Sequence, residues 1–398
     1  MAWPFKAIFG VGPHGMASPH HWALSLGAKT ATGEVVDQQN ALGLSAVYRC
    51  VAILAESEAQ LPIDVGYKEG AKRISESDHP LDYVLNIRAN EFMSAFTFRS
   101  TIMRHAVTWG NGYAEIQRDG MGNVVALWPL LPDRTWCASA IRNDRACRVF
   151  QTIIDGVAYE LPYDKVLHIP ALSYDGFTGQ GPVELARESL GLSLALEKHG
   201  SKYFKHELQS GGWIGVPHKL SDTARDNLRA SVEAQGGLER AHRVKVLEEG
   251  AEFHASILPN DDAQFLETRQ FQVAEAGRWF GIPLHMLGSE TGATSWGTGI
   301  TQISLGFVRY TMQPWLLRWE QEMDYKLLSP TERALGFYVK HNLEALLRGD
   351  PEARANYYTA ALNPQTGWMH EDEVRALEDL NPLDEERYPD TAMDTHRR

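Results

Sequence analysis

Residues 283–320 read PLHMLGSETGATSWGTGITQISLGFVRYTMQPWLLRWE. A loop of Gly, Ser and Thr runs directly into a long apolar helix. The loop offers hydroxyls, small residues and one tryptophan, Trp296, but no catalytic base. The helix is expected over about 300–328, with Ile303, Phe307, Tyr310, Trp315, Leu316 and Trp319 as its core-facing stripe and Pro314 as a kink. A small-residue loop carried on rigid helices suits a part that touches something passing by. It suits a catalytic pocket poorly.

On the N-terminal side of this stretch, Asp261-Asp262 opens a helix that runs to Phe280 and is ended by Gly281 and Pro283. Before it lies a compact insert: a strand at 212–216, a helix capped by Ser221 and running to Glu233, and strands at 243–247 and 252–258. Pro182 to Leu208 reads as another unbroken helix, with Pro182 welcome in its first turn and a length of ~40 Å at ~1.5 Å per residue. A small αβ module is thus expected between two long helices.

Residues 45–170 read as an α+β region. Val47, Val51, Leu54 and Ala55 follow a helical period from Ser45 to Gln60. Pro62 stops that helix, and IDVGY follows as a strand. Helices are expected at 79–90 and, capped by Ser94, at 94–107. Hairpins pair 113–117 with 124–128 and 148–154 with 157–161, and a strand lies at 165–169. Residues 1–40 hold no sustained period and are expected to form a flexible arm. Short helices at 343–348, 351–361 and 371–380 lead to a frayed end.

The chain's 398 residues exceed one ordinary core. Its 43% hydrophobic content and eleven Trp exclude a disordered chain. With 38 basic and 51 acidic residues the formal charge is −13. That excludes a simple nucleic-acid clamp, which needs a basic face, but allows nucleic acid to be held loosely. Cys50, Cys137 and Cys147 form no C-x-x-C pair, which fits structural thiols in a reducing compartment. No apolar run is long enough to span a bilayer. The start MAWPFKAIFGVGPHG, broken by Pro4 and Pro13, does not make a signal peptide. Synthesis in the cytoplasm, with no membrane partner, is therefore expected.

Enzyme motifs fail on inspection. There is no G-x-x-x-x-G-K-[ST] loop for ATP, and His206-Glu207-Leu208-Gln209 lacks the second His of a zincin. The fifteen His are scattered without metal spacing. No catalytic residue, metal or cofactor is expected. The alternative kept open is a metal-dependent nuclease of DNA packaging, using acids near Asp164, in Tyr163-Asp164-Lys165, or near Asp261. Asp261-Asp262 also reads as helix capping.

Several ordered segments resemble the portal protein family of tailed bacteriophages, in the form found in siphophages and gene transfer agents. They are ALGLSAVYRCVAILAESEAQLPIDV (41–65), GNGYAEIQRDGMGNVVALWPLLPDR (110–134), GQGPVELARESLGLSLALEKHGSKYF (179–204), VLEEGAEF (246–253), DDAQFLETRQFQVAEAGRWFGIPLHML (261–287) and SETGATSWGTGITQISLGFVRYTMQPWLLRWEQEM (289–323). The resemblance implies the portal fold. Its parts would be a flexible arm (1–40), an α+β wing (41–181), a first stem helix (182–209), a small αβ clip (210–260) and a second stem helix (261–282). A tunnel loop (283–299), a long kinked wing helix with its return (300–339) and a small helical crown and tail (340–398) complete it.

The resemblance further implies a homo-oligomeric ring of about twelve copies at one capsid vertex, a conduit for DNA packaging and ejection. The implied partners are the major capsid protein, the terminase large subunit, a head–tail adaptor and the double-stranded DNA in the channel. Ser289, Glu290, Thr291, Thr294, Ser295 and Trp296 would line the bore. Lys198, Lys202 and Lys205, at i, i+4 and i+7, would form rings near the channel, or else a solvated face or pairs with acids of the next copy. Arg240, His242, Arg243 and Lys245 would meet a partner or DNA from the clip, or else form plain strand and loop surface. A ring of acidic chains does not grip phosphate, so DNA can slide. The sequence departs from related loops at 297–302, where GTGITQ replaces an Asn-Glu-Gln run.

Overall fold

The computed structural model describes residues 28–70, 72–76, 78–142, 145–205, 212–215, 221–234, 252–255, 262–288, 298–343, 351–378 and 381. The chain divides into two compact units, Met1–His341 and Asn342–Arg398.

The core of the first unit starts from two helices packed on each other, Ser45–Ala59 and Ala95–Trp109. Val47, Val51 and Leu54 of the first and Phe98, Ile102 and Met103 of the second are buried, each worth about 1.5–3 kcal/mol as large apolar side chains. Ser94 caps the second helix by accepting the Thr97 N–H at 3.1 Å. Gly110 ends it with φ +83°, a left-handed conformation that side chains other than glycine rarely adopt.

Three small antiparallel sheets complete this part of the unit, the first packed on the helix Ala95–Trp109. The first orders Val166–Pro170, Asn111–Arg118 and Val124–Leu130. The second orders Phe337–His341, Ile63–Glu69 and Lys72–Ser75, so a late strand pairs with an early one, Val339 opposite Val65. The third is the meander Thr135–Arg142, Arg145–Ile154 and Val157–Pro162. The helix Gln313–Lys326 packs on the first two sheets and buries Leu316, Trp319 and Met323.

From this body the chain runs out along Arg187–Lys205 and returns along Asp262–Phe280. The pairing is antiparallel: Ser193 Oγ donates to Gln272 Oε1 at 2.8 Å, and Arg269 meets Glu197 at 3.5 Å. Between them, strand Gly212–Gly215 pairs with Glu252–Ala255, and the helix Asp222–Ala234 follows Ser221, whose hydroxyl accepts the Ala224 N–H.

Several expectations change. The run from Pro182 is not one helix. Pro182–Leu185 is a single turn, Ala186 leaves helical geometry (φ −84°, ψ 7°), and the long helix starts at Arg187. The expected arm is structured from residue 28. Ala28–Lys29 and Val35–Val36 pair, and Gln38–Ala41 is a short helix in a capping box set by Asp37. The 79–90 helix shrinks to Pro80–Asp82 and a π turn, Tyr83–Ile87.

The long apolar helix is interrupted by another π turn, Val308–Met312, between Thr298–Phe307 and Gln313–Lys326. Pro314 has no N–H for the carbonyl of Tyr310, so the ladder widens in the turn before it, and the Gln313 N–H reaches back to Val308 O. The wider turn re-phases the helix. Phe307, Leu316 and Trp319 are buried as expected, whereas Ile303 and Tyr310 are 44% and 75% exposed. The strands Thr135–Arg142 and Phe337–His341 have no counterpart among the expected elements.

The second unit holds Pro351–Ala361 and Glu371–Leu377. Glu378 ties them, accepting from the Tyr358 hydroxyl at 2.6 Å and pairing with Arg354 at 3.3 Å. The expected 343–348 helix lies almost entirely outside the described residues.

Candidate channel and docking surfaces

The Gly/Ser/Thr loop is best described by its two feet. After Phe280 the chain turns at Gly281, and the Thr311 hydroxyl donates to the Gly281 carbonyl at 2.7 Å. A Cβ on Gly281 would meet that hydroxyl at 2.9 Å. Leu284–Leu287 forms a 3-10 turn closed by Gly288 at φ +70°, and His285 Nε2 lies 3.5 Å from Ser304 Oγ. Both ends of the 289–297 segment are therefore attached to one rigid base. Ser289, Glu290, Thr291, Thr294, Ser295 and Trp296 lie outside the described residues.

Of Lys198, Lys202 and Lys205, Lys198 is engaged: its ammonium pairs with Glu34 of the N-terminal hairpin. That hairpin also donates Ala31 N–H to Glu188 Oε2 at 3.0 Å, and Thr30 fills the space left by Gly191, where a Cβ would come within 2.5 Å of it. Lys202 and Lys205 belong to the same helix, with side chains outside the described residues. Arg240, His242, Arg243 and Lys245 lie outside them too.

The helices that flank the loop expose large apolar side chains. Phe271 and Trp279 are exposed before it, and Ile303, Leu305, Tyr310 and Leu317 after it.

A buried charge cluster joins four elements. Glu58 is fully buried. Arg99 Nε donates to its Oε1 at 3.0 Å, and the Arg99 guanidinium also donates to Leu61 O at 2.7 Å and Glu58 O at 2.6 Å. His341 puts Nε2 3.3 Å from Glu58 Oε1 and Nδ1 3.1 Å from Glu320 Oε1. Burial works to raise the Glu58 pKa, but Arg99 and His341 hold it below the usual carboxylate range. Burial works to lower that of His341, but its bonds to Glu320 and Glu58 raise it. Both ring nitrogens face carboxylates, which is the geometry of an imidazolium. The signal available in the sequence was a charge inside an apolar stripe: Glu58 follows Val47, Val51 and Leu54, and Arg99 sits among Phe98, Ile102 and Met103.

A second knot explains two of the glycine-rich segments. Asn111 Oδ1 accepts from Gly179 N at 2.9 Å, and its Nδ2 donates to Gly179 O at 2.8 Å. His168 Nε2 donates to the same Oδ1 at 2.9 Å. The backbones come so close that a Cβ on Gly179 would sit 2.1 Å from the Gly110 carbonyl oxygen. Burial, helped by the nearby Lys326 charge, pushes the His168 pKa down to about 3, so His168 is neutral.

Tyr163–Lys165, read as an acid–lysine strand, is a 3-10 turn with Asp164 exposed. Asp261 lies outside the described residues, and Asp262 opens a helix. Among the described residues no three His, Cys, Asp or Glu side chains gather as metal ligands. No described helix is long and apolar enough to cross a membrane.

A family model described as phage portal protein matches residues 45–379. The probable portal protein of Streptomyces phage phiC31 is 37% identical over 373 residues, covering 90% of this chain and 79% of that relative. The portal protein of Enterobacteria phage HK97 is 29% identical over 355 residues, covering 87% and 81%. Among solved structures, the neck of an empty gene transfer agent particle matches with a TM-score of 0.59 at 20% identity, over 87% of this chain and 94% of that one. The chain belongs to the phage portal protein family. It is a portal protein of the tailed-phage type, and these relatives lend no support to the nuclease alternative.

Proposed function

We propose that copies of the chain close into a ring of about twelve at one vertex of a capsid, through which DNA is packaged and later ejected. In this reading the antiparallel helices 187–205 and 262–280 form the stem and residues 210–260 the clip, where a terminase large subunit and later a head–tail adaptor dock. The α+β region forms the wing, against the major capsid protein. The 283–299 loop faces the bore, with Ser289, Glu290, Thr291, Thr294, Ser295 and Trp296 nearest the DNA. Lys202 and Lys205 remain candidates for a stem ring, while Lys198 is paired within its own chain. Arg240, His242, Arg243 and Lys245 are the candidate clip patch.

The observation that carries the ring is the apolar surface on the helices around the loop, from Phe271 to Leu317. Exposed large apolar side chains on two elements that meet at one loop suit protein–protein contact. Electron microscopy of the purified protein should show rings with a central hole. Monodisperse monomers that cleave DNA with a divalent metal would overturn the reading. Replacing Ser289–Trp296 with a short Gly linker should impair DNA packaging or retention in assembled particles, and unchanged packaging would remove the loop from the bore.

A further inference from the structure

The helix that follows the loop buries a face whose spacing no unbroken α-helix allows. Phe307, Met312, Leu316, Trp319 and Met323 are all buried. The last four stand four, three and four positions apart, which is one α-helical face. Phe307 precedes Met312 by five positions, which in an α-helix would put it about 140° away. The π turn Val308–Met312 takes up the extra residue. The helix before it therefore turns the Phe307 side to the body, as the helix after it turns Leu316 and Trp319.

The same turn carries Thr311. Its hydroxyl donates to the Gly281 carbonyl at 2.7 Å, just where the helix Asp262–Phe280 ends. Gly281, at φ +69°, leaves that approach open: a Cβ there would meet Thr311 Oγ1 at 2.9 Å and Cγ2 at 3.2 Å. The next N–H, that of Ile282, folds back to Gly277 O at 2.8 Å, and Ile282 is buried. Beyond it the turn Leu284–Leu287 touches the helix Ser45–Ala59, as the π turn does. The Thr311 hydrogen bond thus pins the end of one helix to the bend of the other, on either side of 289–297. We infer that Thr311 is a positioning residue of the conduit. Through Gly281 it sets the direction in which the chain leaves the helix 262–280. Through the π turn it sets the direction in which the helix 298–307 receives it back. A loop works at the place its scaffold gives it, and here one hydroxyl joins the two sides of that scaffold. The inference rests on the reading that 283–299 faces the DNA, and adds to it the group that aims the two ends of the loop.

Two substitutions separate the hydroxyl from the shape. Thr311→Val keeps the branched side chain and removes the donor, whereas Thr311→Ser keeps the donor. In the full-length protein, amides of 281–288 and 301–307 should exchange about fivefold faster in Thr311→Val, as the loss of one hydrogen bond allows. They should keep the wild-type rate in Thr311→Ser, and amides of 95–109 should not change in either. Particles assembled with Thr311→Val should lose packaged DNA that those with Thr311→Ser retain. Unchanged exchange in Thr311→Val would overturn the inference, whatever the loop faces. Faster exchange with full DNA retention would also overturn it, and the Gly linker in place of Ser289–Trp296 then says why. If the linker impairs retention, the loop stays in the bore and Thr311 does not aim it. If the linker too is without effect, the bore reading has failed and the inference with it.

Discussion

Arg99 and His341 both reach Glu58 Oε1, and among the described residues its buried Oε2 has no hydrogen-bond partner. Removing Arg99 leaves the buried carboxylate to His341, which is shared with Glu320. Arg99→Ala should therefore cost about 3–5 kcal/mol in chemical denaturation. The double change Arg99→Met/Glu58→Gln should recover part of that loss, because it removes both charges. The pH dependence has a defined sign. A histidine raised above its usual 6.5, as His341 is, contributes stability in full below that value and loses it as pH climbs through the folded pKa. A glutamate held below 4.5, as Glu58 is, contributes in full above that value and loses it as pH falls through its folded pKa. The cluster is thus complete between pH 4.5 and 6.5. The Tm deficit of His341→Gln against wild type should be largest there and narrow at alkaline pH. His168 and His105 run the other way. Burial holds their pKa values at about 3 and about 4, so the stability they give above 6.5 drains away in acid. Taking variant against wild type at each pH separates His341 from them.

At the scale of elements, the N-terminal hairpin is a clasp held by few contacts: Thr30 against Gly191, Ala31 on Glu188, and Glu34 on the largely exposed Lys198. Gly191→Val would drive a side chain into Thr30. The clasp should lift, with faster hydrogen exchange confined to 28–36 and a loss of about 1–3 kcal/mol. Lys198→Ala should cost no more than about 1 kcal/mol, since the pair is solvent-screened. The sequence showed elements whose signal is local. Helix 45–59 announced itself by period and helix 95–109 by Ser94, and the hairpins by Arg118-Asp119-Gly120 and Asp155-Gly156. It did not show elements whose reason is distant. Phe337–His341 is five residues long and becomes a strand because Ile63–Tyr67 lies beside it. The clasp owes its shape to the 187–205 helix, and the two π turns keep a helical pattern while changing its phase. The cluster around Glu58 was half legible, as charges in apolar stripes, but the partner His341 could not be read from spacing. The loop at 289–297 was legible only as composition.

For the whole molecule, the proposed ring assigns the surface around the loop to assembly more than to folding. Tyr310 is 75% exposed, with the Arg309 guanidinium 5.6 Å from its ring centroid, so Tyr310→Asp should leave the monomer within about 0.5 kcal/mol of wild type. It should lower the yield of closed rings in native mass spectrometry, and unchanged ring yield would show that this face is not a contact. The pairing of Val339 with Val65, and of His341 with Glu58 283 positions away, also sets a timetable. On the ribosome, at about 5–20 residues per second, the partner of the early strand arrives roughly 15–60 s after it. Until then Ile63–Glu69 has an open edge, and Glu58 lacks one of the two side chains that compensate its charge. A nascent chain therefore cannot pair Ile63–Glu69 with Phe337–His341 until the helices 187–205 and 262–280 and the 283–299 loop after them have been made. Newly made copies are thus kept from completing their fold before the elements proposed to meet neighbouring copies exist.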